Sequence, residues 1–274
     1  MVIRYDAPKK LLLITKGHPF DHTGFFALFD AMDGFAWTHV EHPAAPYLLE
    51  PERLGDFDCL VFYDMPGLLF QLGQPPQKLA PPESMKQGMV RLLEQGKPML
   101  FLHHALAGWP AWDLWGDIIG GRFHYSPDPA RGIQDSGYRH DVRHHVRVVA
   151  DHPVTAGLGD GFDITDELYL VQVDEHDKLP LLRSGHQFTR DHFHSADLAV
   201  RGRMFCNEGW EHPTGSDLIA WAKRAGNSPV IYIQCGDGPS AYENAAYRRL
   251  IGNALGWLTS PESAQWARAF TPVP

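Results

Sequence analysis

Cysteine is scarce in this chain, and no basic cluster stands out. Cys59, Cys206 and Cys235 are its only cysteines in 274 residues, and they form no Cys-x-x-Cys pair. That excludes a disulfide framework and makes a reducing cytoplasm the default compartment. Lys and Arg total 24 against 33 Asp and Glu, a formal net charge of −9 with His neutral. Nucleic acid and anionic membrane are therefore poor partners. No apolar run reaches the length of a membrane span. The opening MVIRYDAPKK has no apolar h-region, so no signal peptide is expected. The phosphate-loop pattern Gly-x-x-x-x-Gly-Lys-Ser/Thr, the metalloprotease pattern His-Glu-x-x-His and the hydrolase elbow Gly-x-Ser-x-Gly are all missing. Gly236-x-Gly238 is too short for a dinucleotide fingerprint, so no nucleotide cofactor is expected. There is no internal repeat, no low-complexity segment and no linker. One domain over residues 1–260, followed by a tail over 261–274, is the simplest division.

What the chain has in quantity is histidine, 16 in all, and several stand where a buried strand ends. Residues 10–15 (KLLLIT), 58–63 (DCLVFY) and 99–102 (MLFL) are short apolar runs of the kind buried on both faces of a parallel sheet. They end at His18, at Asp64, and at His103 with His104. Right-handed crossovers would bring all three ends to one sheet edge, where ligands bind in open α/β sheets. Residues 99–112 read as strand, polar pair, sharp turn and helix, the outline of a nucleophile elbow. A structural alternative is that one of the two histidines only caps the helix or satisfies buried backbone groups. Helices are expected over 22–32, 83–95 and 242–258, and a weaker strand over 37–40. A strand is expected over 142–149, with His144 and His145 on opposite faces, and a hairpin over 218–233 turning at Gly226-Asn227. Residues 68–82 read as a surface loop. The polar, His-rich stretch 170–203 carries His192-x-His194, which reads as solvated loop rather than a ligand pair. Cys59 reads as core, and neither Cys206 nor Cys235 follows an elbow pattern.

The chemistry-bearing set is His18, Asp64, His103, His104, His124, Glu167 and Asp237. Two chemistries can use it. A histidine titrating near neutrality can move a proton while a carboxylate orients it. Alternatively, imidazole and carboxylate can hold a divalent metal, zinc or manganese, that activates water or polarises a carbonyl. For the metal, His18, His103 and His124 are the candidate ligands. Asp64, Trp109, Tyr125 and Tyr242 are the candidate substrate contacts, since aromatic faces suit stacking on sugar rings.

The same segments carry a family resemblance. KGHPFDH (16–22), FYDMPG (62–67), LHHALAGWPAW (102–112), IIGGRFH (118–124), DHPVTAGLGD (151–160), DELY (166–169) and the stretch 228–257 resemble the ThuA-like (trehalose-utilisation) family. That family lies within the class I glutamine amidotransferase-like superfamily. The resemblance implies a flavodoxin-like three-layer α/β sandwich with a mainly parallel central sheet. It also implies a role in bacterial sugar catabolism, around trehalose-type disaccharides and their 3-keto derivatives. In the amidotransferases the elbow carries a nucleophilic cysteine; here the similar position is His103, so glutaminase chemistry is not expected. The family commonly places Gly-His-Gly or Gly-His-Asp in its last turn, where this chain has Gly236-Asp237-Gly238. Asp237 would then take over as base or ligand. The expected function is an enzyme acting on a keto glycoside, with His103 as central base or metal ligand and His104, His18, Glu167 and Asp237 around it. The alternatives are a non-catalytic carbohydrate-binding protein and a metal-dependent hydrolase of another small substrate. A small carbohydrate is the expected partner, and a homodimer is left open.

Overall fold

The computed structural model describes residues 5–271. In chain order its elements are β1 (Lys9–Lys16), α1 (His22–Asp30), β2 (Phe35–Glu41), β3 (Cys59–Asp64), β4 (Leu68–Gln71), β5 (Gln74–Lys78), α2 (Glu83–Gln95), β6 (Met99–Leu102), α3 (Asp113–Ile119), β7 (Gly137–Val148), β8 (Gly161–Leu170), β9 (Lys178–Ser184), β10 (His194–Ser195), α4 (Ala196–Val200), β11 (Leu218–Ala225), β12 (Ser228–Ile233), α5 (Pro239–Glu243), α6 (Ala245–Leu258) and α7 (Pro261–Ala269).

The apolar runs pair side by side. β2, β1, β3, β6 and β12 lie in that order, each parallel to the next. β11, β9, β7, β8 and β10 continue the sheet antiparallel from β12. Successive side chains of a strand point to opposite faces, so β1 divides its leucines between two cores. Leu11 and Leu13 pack with Phe25, Tyr63, Tyr247 and Leu250 on the face covered by α1 and α6. Leu12 and Ile14 pack with Phe62, Met89, Leu92 and Trp115 on the face covered by α2 and α3. This is the three-layer α/β architecture that the resemblance implies. Because β1, β3 and β6 are adjacent and parallel, His18, Asp64 and His103 do follow the same edge of the sheet. Among the described residues no helix is long and apolar enough to cross a membrane.

Four segments differ from the reading of the sequence. Residues 68–82 hold the hairpin β4–β5, which carries two prolines, Pro75 and Pro76, as only a ribbon with free edges can. The last predicted helix is two helices. Asn244 interrupts it, its side chain accepting hydrogen bonds from the N–H groups of Ala246 (2.9 Å) and Tyr247 (3.1 Å) as the cap of α6. Pro261 starts a helix instead of ending one, since its fixed φ and missing N–H suit a first turn. α7 buries Ser263 and Ala267 and sets Trp266 edge-on to Trp257 at 5.3 Å. The predicted tail is thus helical to Ala269, and 272–274 lie outside the described residues. The polar stretch 170–203 contributes β9, β10 and α4. His192 bonds Thr189, whereas His194 pairs with Arg139, so they do not act as a ligand pair.

Candidate functional site

The turn after β6 places the first groups. His103 follows Leu102 with φ +36°, a left-handed conformation unusual for a non-glycine residue. Strain of this kind collects at functional turns. The His103 ring is fully buried. Its Nδ1 hydrogen-bonds the backbone carbonyl of Gln234, which can only accept, so Nδ1 carries a proton. Its Nε2 lies 2.9 Å from Glu167 Oε2 and 2.8 Å from the Tyr169 hydroxyl, with Asp237 Oδ1 at 3.6 Å. Burial works against a charge on this ring, but Glu167, Asp237 and Asp166 outweigh it and raise the His103 pKa to about 9. Burial likewise opposes the Glu167 charge; the hydrogen bond from His103 reverses that and holds the carboxyl below its ordinary value. Both shifts favour the charged pair, His103 imidazolium with Glu167 carboxylate, a form in which the imidazole has no lone pair to offer.

Glu167 is the member that faces open space. A cavity of about 180 Å³ is lined by Glu167, His18, Tyr125, Tyr138, His140 and Tyr169, among others. The second carboxylate oxygen of Glu167 lies 3.5 Å from His140 Nε2. Glu167 and Tyr169 are two apart on β8, hence on one face, and Tyr138 on β7 stands opposite Tyr169.

His104, next to His103, is also buried. Its Nδ1 meets the Tyr169 hydroxyl at 3.3 Å, while its Nε2 has no hydrogen-bond partner among the described residues and stands 3.7 Å from Asp237 Oδ1. Burial keeps this ring neutral, depressing its pKa far below the usual histidine value. The His18 ring packs on it at 3.9 Å between centroids. His18 is fixed by its own Nδ1, 2.7 Å from the carbonyl of Pro19. Asp237 is held through the backbone. Asp166 accepts the N–H groups of Gly236 (2.6 Å) and Asp237 (3.1 Å), and of its neighbour Glu167 (2.9 Å).

The structure thus gathers His18, His103, His104, Glu167 and Asp237 in one cluster, with Tyr125 on the cavity wall. The other expected residues are placed elsewhere. Asp64 turns to His42, 2.7 Å away, and does not line the cavity. Trp109 packs its ring against Gly67, filling space instead of offering a stacking face. Tyr242 is buried with its hydroxyl bonded to Tyr63 (2.7 Å) and to the carbonyl of Asp237 (3.2 Å), so it supports the turn instead of meeting substrate. Among the described residues, His124 joins neither of the His/carboxylate groups close enough to share a metal, which are His18–His104–Asp237 and His103–Glu167–Asp237. It lines a larger polar cavity of about 450 Å³ with Arg122, Lys178 and Lys223. The two lysines there are already paired with Asp177.

Asp166, Tyr169, His140 and the Gln234 carbonyl belong to the site without having been singled out. For Tyr169 the signal was present: it follows Glu167 by two in a strand and must share its face. For Gln234, which also accepts the Tyr169 N–H through its side chain at 3.0 Å, no sequence signal existed.

A family model described as trehalose utilisation, ThuA, matches residues 11–258. A ThuA-like protein from Bacteroides uniformis superposes with a TM-score of 0.61 at 17% identity, covering 95% of each chain. A ThuA-like protein from Parabacteroides merdae gives 0.65 at 13% identity, covering 92% of this chain and 90% of its own. A cytoplasmic protein from Salmonella typhimurium gives 0.55 at 12% identity, covering 91% and 98%. At such identities the likeness is one of fold. No curated protein matches the chain.

Proposed function

The chain belongs to the ThuA family, described as trehalose utilisation, and on that premise we propose that it is an enzyme acting on an oxidised, 3-keto form of a trehalose-type disaccharide. The observation that carries this reading is the placement of Glu167. Its carboxylate lines a cavity walled by Tyr125, Tyr138 and Tyr169, with the His103 imidazolium 2.9 Å behind it. A carboxylate so held is a base positioned against a small, aromatic-walled substrate site.

A ketone at C3 acidifies the hydrogen on C2, and C2 also neighbours the glycosidic carbon. Glu167 takes that proton, and the C–H electron pair passes to the ketone oxygen as an enolate. Return of the pair expels the glycosidic oxygen, which takes up a proton and leaves as an alcohol. Water then adds across the new double bond, and the sum is hydrolysis. Reprotonation at C2 from the other side gives isomerisation instead. An unoxidised glycoside lacks the acid hydrogen and should be inert. The test is to incubate the folded protein with the 3-keto disaccharide and with its parent, and to follow products by NMR. Conversion of the keto sugar alone supports the reading. Binding without conversion of either would favour a carbohydrate-binding protein.

A further inference from the structure

We infer that His18, His104 and Asp237 form a binding site for one divalent first-row transition-metal ion, at the edge of the cavity that Glu167 lines. The ligand atoms available on these three residues lie within 4.8 Å of one another. His104 Nε2 and Asp237 Oδ1 are 3.7 Å apart. Two ligands about 2.1 Å from one ion are separated by roughly 3.0–3.4 Å, so a shift of a few tenths of an ångström closes this edge of the site.

Three independent features point the donors at one place. First, His104 is fully buried, yet its Nε2 has no hydrogen-bond partner among the described residues. A buried polar atom left unpaired costs about 1–3 kcal/mol, so its presence calls for an occupant. Second, each imidazole already uses its other nitrogen. His18 Nδ1 donates to the Pro19 carbonyl at 2.7 Å, and His104 Nδ1 faces the Tyr169 hydroxyl at 3.3 Å. Metal-bound histidines are oriented in this way, with the distal N–H given to an oxygen. Third, Asp237 is placed by Asp166, which grips the Gly236 and Asp237 N–H groups. The alternative trio of His103, Glu167 and Asp237 fits less well, because His103 Nε2 is already committed to Glu167 and Tyr169.

Two imidazoles and one carboxylate select ions of the zinc, cobalt, manganese or iron class over magnesium and calcium. Three protein ligands leave coordination positions free, and His18 also lines the cavity. There the ion would polarise the ketone oxygen of the substrate as a Lewis acid. That role rests on the function proposed above; the site itself does not.

The test is metal binding to chelator-stripped, full-length protein, with no sugar present. Zinc, cobalt and manganese are titrated separately, and bound ion is counted by mass spectrometry and by the cobalt absorption spectrum. One ion per chain is expected. His18→Gln and Asp237→Asn, both at partly exposed positions, should each weaken binding about tenfold or more, while Glu167→Gln should leave it within about threefold. Circular dichroism confirms that each variant is folded. The inference is overturned if the folded protein takes up no ion, if His18→Gln binds as wild type, or if Glu167→Gln abolishes binding. A bound ion with an inert keto sugar would refute the function and keep the site; turnover unaffected by stripping, with no ion taken up, would do the reverse.

Discussion

Tyr169→Phe removes a single oxygen from the centre of the cluster. That hydroxyl lies 2.8 Å from His103 Nε2 and 3.3 Å from His104 Nδ1. His103 keeps Glu167 at 2.9 Å. In the metal-free protein His104 keeps nothing, since its Nε2 has no hydrogen-bond partner among the described residues either. The variant therefore leaves one buried imidazole with both nitrogens unpaired, in a pocket whose shape is unchanged. An unsatisfied buried group costs about 1–3 kcal/mol. At about 2 kcal/mol, a chain of this size loses roughly 4–8 °C in Tm. Because the phenol also steadies the Glu167–His103 pair, turnover of the keto sugar should drop about tenfold or more with little change in KM, the ring still lining the cavity. Thermal unfolding and steady-state kinetics read the two effects. A variant as stable and as active as wild type would refute the network as described.

Stability should fall in mild acid through a group remote from the site. His144 is buried, with Nδ1 2.9 Å from Ser184 Oγ, and burial together with His186 pushes its pKa down to about 4. Between pH 6.5 and 4 the unfolded chain takes up a proton that the folded chain refuses; the shift of 6.5 − 4 = 2.5 units corresponds to about 3 kcal/mol lost over that window. Urea midpoints at pH 7 and pH 4.5 should show a drop that is smaller in His144→Gln, and an equal drop in both would remove His144 as its source. Gly17→Ala should destabilise by about 2 kcal/mol or more and weaken activity, because Gly17 has φ +100° and a Cβ there would meet the Met65 carbonyl oxygen at 2.2 Å. A soluble variant with wild-type Tm and turnover would show that this turn yields freely.

How much could be read from the sequence varied with the physical signal. β1, β3 and β6 were legible because they are short, apolar on both faces and bounded by turn residues. Their parallel order followed from the crossover rule, and with it the meeting of His18 and His103. Asp237 follows β12, which lies beside β6, but the distance of Glu167 from His103 depends on β8 joining the sheet through β7, a long-range pairing with no local signature. Asp64 ends β3, whereas Trp109 stands in the turn before α3 and Tyr242 on α5, and each turns to a neighbour instead of the cavity. A position along the chain fixes where a backbone lies, but not which neighbour its side chain meets. The α5–α6 break and α7 were hidden because Asn244 and Pro261 read equally well as ends and as starts. The roles within the cluster needed atoms: the Gln234 carbonyl fixes a proton on His103 Nδ1, and the neighbouring carboxylates favour a second on Nε2, which is the ground for proposing Glu167 as the base.

The most direct test of that assignment is the fate of the C2 hydrogen when the protein turns over a 3-keto disaccharide in deuterated water. Wild-type protein should give product carrying solvent deuterium at C2. Folded Glu167→Gln should slow both exchange and product release by about 10²–10⁴-fold, the range for loss of a general base. Product that keeps its original C2 hydrogen, or a Glu167→Gln variant with wild-type turnover, would contradict the account.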